Sequence, residues 1–77
     1  LTYKEFELLR LFLSHPGMAF TRDQLFNDVW GADYVGESRT VDVHIARIRG
    51  KLGRYHDIIR NKTGFGYYLD SRYELQE

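Results

Sequence analysis

The sequence predicts a mainly α-helical chain that closes on a β-hairpin, and three observations carry that prediction. Two capping boxes, Thr2-Tyr3-Lys4-Glu5 and Thr21-Arg22-Asp23-Gln24, each open a helix by pairing a hydroxyl and a longer polar side chain with free N–H groups of the first turn. Val41, Ile45, Ile48 and Leu52, spaced four, three and four apart, put one narrow apolar row on a third helix. Beyond Gly53 the period changes: Ile58–Lys62 and Tyr67–Leu69 read as strands, and Thr63-Gly64-Phe65-Gly66 supplies the turn between them.

Each element has its own signals. In the first helix the apolar residues are Phe6, Leu8, Leu9, Leu11, Phe12 and Leu13, and Pro16-Gly17 ends it. All but Leu11 span more than roughly a third of the circumference, wider than a surface helix needs. A partner layer upstream, outside this chain, is therefore expected. The second helix turns Leu25, Phe26, Val29 and Trp30 inward or to its edge, and Gly31 stops it. Residues 31–37, Gly-Ala-Asp-Tyr-Val-Gly-Glu, have no period and read as a loop. The third helix, capped by Ser38 or its neighbour, runs to about Leu52. Opposite its apolar row lie Arg39, Val43, Ala46, Arg47 and Gly50, with Thr40, Lys51 and Arg54 beside them.

At 77 residues the chain makes one small domain, able to bury only ~60% of its unfolded surface. It opens on Leu with helix signals at once, so residues 1–77 read as a piece of a longer protein. Without cysteine there is no disulfide framework and no thiolate nucleophile. No apolar run approaches the ~20 residues that span a bilayer, and no signal peptide opens the chain. A cytoplasmic location is expected. His15, His44 and His56 are scattered, Asp42 and His44 point apart on their helix, and no metalloprotease, nucleophile-elbow or phosphate-loop motif occurs. Neither catalysis nor a cofactor nor a metal is expected.

Net charge is zero, but its distribution is not even. Residues 1–37 balance at −3 and residues 63–77 at −2. Residues 38–62 carry Arg39, Arg47, Arg49, Lys51, Arg54, Arg60 and Lys62 against Asp42 and Asp57, a balance of +5. Such a segment points to a polyanionic partner.

Two capped helices joined by a short turn, the later one basic on its outer face, meet the requirements of a helix-turn-helix. A major groove admits one α-helix, and an arginine there can donate two hydrogen bonds to guanine O6 and N7. Arg47, central on the outer face, is placed for that role, with Val43 beside it for a thymine methyl. Arg39, Thr40, Arg49 and Lys51, nearer the edges, suit phosphates, which fix register rather than sequence. Asn61 and Lys62, near the hairpin tip, can reach a neighbouring minor groove. Structural readings stand beside these: Arg49 pairing with a carboxylate at the core edge, Arg39 pairing with Asp42, and His44 and Trp30 serving as packing residues.

These strings together resemble the effector domain of OmpR/PhoB-type response regulators. They are Thr2–Phe6 with Glu7-Leu8-Leu9, Thr21–Leu25, Val29-Trp30-Gly31, Ser38–Ile45 with Arg47-Ile48-Arg49, and Gly64-Phe65-Gly66-Tyr67. The resemblance covers essentially the whole chain and implies a winged helix-turn-helix: an N-terminal sheet that would precede Leu1, three helices and a hairpin wing. It implies double-stranded DNA as partner, at promoter direct repeats bound by head-to-tail dimers. An upstream receiver domain is usual in the family, and the loop at 31–37 corresponds to a segment that contacts RNA polymerase in some members. By resemblance Arg47 reads bases, Trp30, Arg39, Thr40, His44 and Arg49 approach the backbone, and Thr63 and Tyr67 complete the positions assigned to DNA. Thr63 stands where members commonly carry an arginine that enters the minor groove, leaving Lys62 or Arg60 to substitute. Ala46 stands where another basic residue is frequent. A winged-helix protein-interaction module and the DNA-binding domain of a membrane-anchored regulator are the alternatives.

Overall fold

A computed structural model describes residues 1–31 and 36–71. Helix α1 (Tyr3–Ser14) is followed by strand β1 (Ala19–Thr21), helices α2 (Arg22–Trp30) and α3 (Thr40–Leu52), a 3-10 turn (Gly53–Tyr55), and strands β2 (Ile59–Lys62) and β3 (Gly66–Leu69). Both predicted capping boxes form. Thr2 and Glu5 exchange hydrogen bonds of 3.0 and 3.3 Å, and Thr21 and Gln24 exchange bonds of 2.8 and 3.0 Å.

Three local expectations need correction. No side chain caps α3: its N-cap is Arg39, and the entry is closed by backbone bonds from Thr40 to Glu37, Val41 to Ser38 and Asp42 to Arg39, each 3.0 Å. The link between α2 and α3 is residues 31–39, longer than a short turn, because α2 stops at Gly31 and α3 begins only at Thr40. The hairpin is part of a three-stranded antiparallel sheet of order β1-β3-β2, in which β1 went unforeseen. Three residues are too few to show a strand period.

The sheet is tight at Gly66, which pairs with Thr21 on one side and Lys62 on the other. A Cβ there would sit 2.0 Å from the Phe20 carbonyl oxygen, so only glycine lets β1 approach β3. Gly64, at φ 72°, supplies the positive-φ residue of the turn closed by the Phe65 N–H on the Lys62 carbonyl.

The core gathers Leu8 and Phe12 of α1, Phe20, Leu25 and Phe26, then Val41, Ile45 and Ile48 of α3, and Ile59, Tyr67 and Leu69 of the hairpin. Phe12 and Phe20 meet edge to face at 5.8 Å. The predicted row of α3 is this helix's core contribution, with Leu52 half-buried at its end. The wide stripe of α1 is only partly covered: Leu9, Leu11 and Leu13 are half-buried, while Phe6 is 52% exposed beside exposed Leu1 and Tyr3.

Among the described residues, one charge lies inside. Glu5 is 1% exposed, and its Oε1 accepts from the Thr2 N–H at 3.0 Å and from Lys51 Nζ at 2.6 Å, tying α1 to α3. The Lys51 ammonium first, and the Thr2 N–H second, hold this carboxyl below its ordinary 4.5. A carboxyl with a lowered folded pKa contributes fully above its unfolded value, and that contribution drains as pH falls through the folded one. Glu5→Gln should therefore unfold more readily at neutral pH and lose stability less steeply than the wild type as pH falls below 4.5. Urea unfolding across that range checks this, and parallel acid limbs would show that Glu5 contributes no linkage.

Candidate nucleic-acid interface

The outer side of α3 is open. Arg39, Val43, Ala46, Arg47 and Gly50 are all exposed, Val43 by 49%. Along thirteen helical residues, about 20 Å of axis, the centre of this face is small and its flanks are cationic. Arg47 makes no hydrogen bond or ion pair with any described residue. Arg39 lies 2.5 Å from Glu37, but both side chains are largely in water, so a stronger anion can displace that pair. Its alternative partner, Asp42, is engaged elsewhere.

Asp42 sits in the first turn of α3, where a carboxylate also suits the helix dipole. Its Oδ1 accepts Arg22 Nε at 2.9 Å, from the start of α2, and the Tyr67 hydroxyl from β3. Tyr67 is therefore not a surface residue for DNA: it is 5% exposed, and its hydroxyl is spent inside. Burial first, and the Asp42 bond second, raise its pKa above the usual phenol value.

Arg49 departs from the expected phosphate role in the same way. Its Nε and Nη2 donate to the Ile59 carbonyl at 3.1 and 2.6 Å, Nη2 donates to Asn61 Oδ1 at 2.8 Å, and the guanidinium lies 5.7 Å from the Tyr67 ring. Asn61 is thus tied to α3, though exposed at the strand's outer end. In place of the phosphate contact expected of it, Lys51 reaches back to Glu5, drawn by a buried carboxylate. A signal for Arg49 was present in the spacing: at 100° per residue it lies about 40° from Ile45 and shares an edge with Asp42, rather than the outer face.

The other flank is aromatic. Trp30 stacks on Phe26 at 5.3 Å, meets the edge of His44 at 4.9 Å, and lies 5.4 Å from Lys4 Nζ. Lys4 also donates to the Val29 carbonyl at 2.9 Å, satisfying the C-terminal turn of α2. His44 Nδ1 donates to the Thr40 carbonyl at 2.9 Å. Trp30, Thr40 and His44 are all half-buried, so each packs and still presents a surface.

At the wing, Lys62, Thr63, Gly64 and Phe65 are exposed. With Arg22 they line a cleft of about 430 Å³ between the hairpin and the start of α2. Arg60 does not serve as a substitute cation: its Nε is 2.9 Å from Asp70, and Asp57 is 4.0 Å away. Lys62 remains the wing-tip cation. Of the loop at 31–37, residues 32–35 lie outside the described residues.

The sequence matches the family described as "Transcriptional regulatory protein, C terminal" over residues 1–69. It is 46% identical over 69 residues to the Heme response regulator HssR of Staphylococcus epidermidis, covering 87% of this chain and 31% of that protein. The chain spans about a third of the length of the curated relatives it matches. The fold is similar to the DNA-binding domain of Bacillus subtilis CssR, with a TM-score of 0.81 and 40% identity over 90% of this chain and 76% of that one. It is also similar to the Klebsiella pneumoniae RstA DNA-binding domain in complex with the RstA box, with a TM-score of 0.78 and 31% identity over 92% and 73% of the two chains.

Removing one phenolic oxygen should show how much the Asp42 junction contributes. Tyr67→Phe keeps the buried ring and should cost about 1–2 kcal/mol in urea unfolding, the range for a hydrogen bond to a partly screened carboxylate. An unchanged midpoint would mean that Arg22 alone satisfies Asp42.

Proposed function

The chain belongs to the family of transcriptional regulatory protein C-terminal domains, and on that footing we propose that it binds double-stranded DNA in a sequence-specific way to control transcription. The observation that carries the proposal is the open face of α3, with Val43, Ala46 and Gly50 low in its middle and Arg47 unpaired among the described residues. Small residues let the helix axis approach the floor of a major groove, while Arg47 reaches a guanine edge and Val43 a thymine methyl.

Arg39, Thr40, His44 and Trp30 hold the phosphate backbone on either side of that groove, and Lys62 and Thr63 carry the wing to the neighbouring minor groove. The RstA relative, which is solved in complex with its box, supports the DNA-binding reading. Residues 1–77 act as the effector part of a longer cytoplasmic response regulator without catalysis of their own. In that longer chain an N-terminal sheet covers the Leu1, Tyr3 and Phe6 side of α1. Binding to promoter direct repeats as a head-to-tail dimer, and contact with RNA polymerase through residues 31–37, belong to the same proposal.

The test uses a duplex that the chain selects from a random-sequence pool. With ~4–6 phosphates neutralised, log K should fall against log salt with a slope of about −4 to −5. Arg47→Ala should cost ~1–3 kcal/mol on the selected duplex and relax preference at one base position. No retardation of any duplex at low salt, or normal discrimination by Arg47→Ala, would contradict the assignment.

A further inference from the structure

Asp42 and Arg49 stand seven residues apart on α3, close to two full turns, so both project from one edge of the helix about 10 Å apart along its axis. That edge faces the hairpin. At its N-terminal end Asp42 takes the Tyr67 hydroxyl of β3; at the other, Arg49 holds the Ile59 carbonyl and the Asn61 amide oxygen of β2. A single attachment is a pivot, whereas two attachments separated along the axis fix an angle.

The acceptors that Arg49 uses are informative. The Ile58 carbonyl bonds to the Asp70 N–H across the ladder, so by strand alternation the Ile59 carbonyl faces away from β3, on the sheet's open edge. Water can satisfy an edge carbonyl. What the guanidinium adds is position: a rigid planar fork reaches the carbonyl and the amide oxygen together, which a single ammonium does not.

Resting on the DNA-binding reading above, we infer that Arg49 is a positioning residue, clamping the wing to α3 at the angle that lets one duplex meet the helix face and the wing tip at once. The clamp uses a cation that the sequence leaves open between a phosphate and a partner at the core edge. Lys62 and Thr63, at the far end of the hairpin, depend on it for their place over the neighbouring groove.

The test again uses the duplex that the wild-type chain selects from a random pool. In the wild type, Lys62→Ala should reduce the magnitude of the salt slope by about one, and hydroxyl-radical protection should extend to the wing side of the site. Arg49→Lys keeps the charge and removes the fork. In that background Lys62→Ala should change the slope no further and the wing-side protection should be lost, while Arg47→Ala still relaxes one base position. Asn61→Ala, at an exposed residue, should weaken wing-side protection in part, with circular dichroism verifying the fold, so the outcome does not depend on one variant. If Arg49→Lys retains both wing-side protection and the Lys62 effect, Arg49 is a phosphate cation and the clamp is overturned. If Arg47→Ala leaves base preference intact in the wild-type background, the DNA-face reading itself fails, whatever Arg49 does.

Discussion

One carboxylate oxygen joins three elements of this domain. Asp42 Oδ1 takes Arg22 from the start of α2 and Tyr67 from the middle strand of the sheet, while its own backbone begins α3. The site is only partly shielded from water, so its contribution lies less in Coulomb energy than in geometry. Hydrogen bonds with fixed donors set where α3 lies against α2 and against the hairpin. Because α3 has no side-chain cap, this junction also anchors a helix start that backbone bonds alone would leave loose.

The cations of the domain divide between internal acceptors and the surface. Arg22, Arg49, Lys51 and Arg60 each reach an internal acceptor, on Asp42, the β2 edge, Glu5 and Asp70 respectively. Among the described residues, no hydrogen bond or ion pair holds the Arg47 or Lys62 side chain. Within residues 38–62, Arg49, Lys51 and Arg60 therefore brace the domain, while Arg39, Arg47 and Lys62 face outward from the helix face and the wing tip. Neutrality of the whole chain conceals this, since residues 1–37 and 63–77 carry the balancing −3 and −2.

Local chemistry was legible in the sequence. Both capping boxes, the Gly31 and Gly53 stops, the buried row on α3 and the hairpin follow from residues within a few positions of each other, and the structure contains them all. Non-local relations were not. Strand β1 is three residues long and exists because β3 offers it an edge, which no spacing within Ala19–Thr21 announces. For Arg49, Lys51 and Tyr67, composition shows a cation or a phenol but not the Ile59 carbonyl, the Glu5 carboxylate or the Asp42 carboxylate beside it. The exposed face of α3 was legible for the opposite reason: it is defined by what the apolar row leaves over, and Val41, Ile45 and Ile48 fix that row unambiguously.

The proposed seat of a duplex is this left-over face together with the wing tip. Backbone-amide NMR during titration with a short duplex at low salt measures it residue by residue. The largest shift changes should fall on Val43, Ala46, Arg47, Gly50, Thr63 and Gly64, with the amides of Leu8 and Leu9 in α1 nearly still. Changes concentrated on α1, with the amides of α3 unmoved, would contradict it.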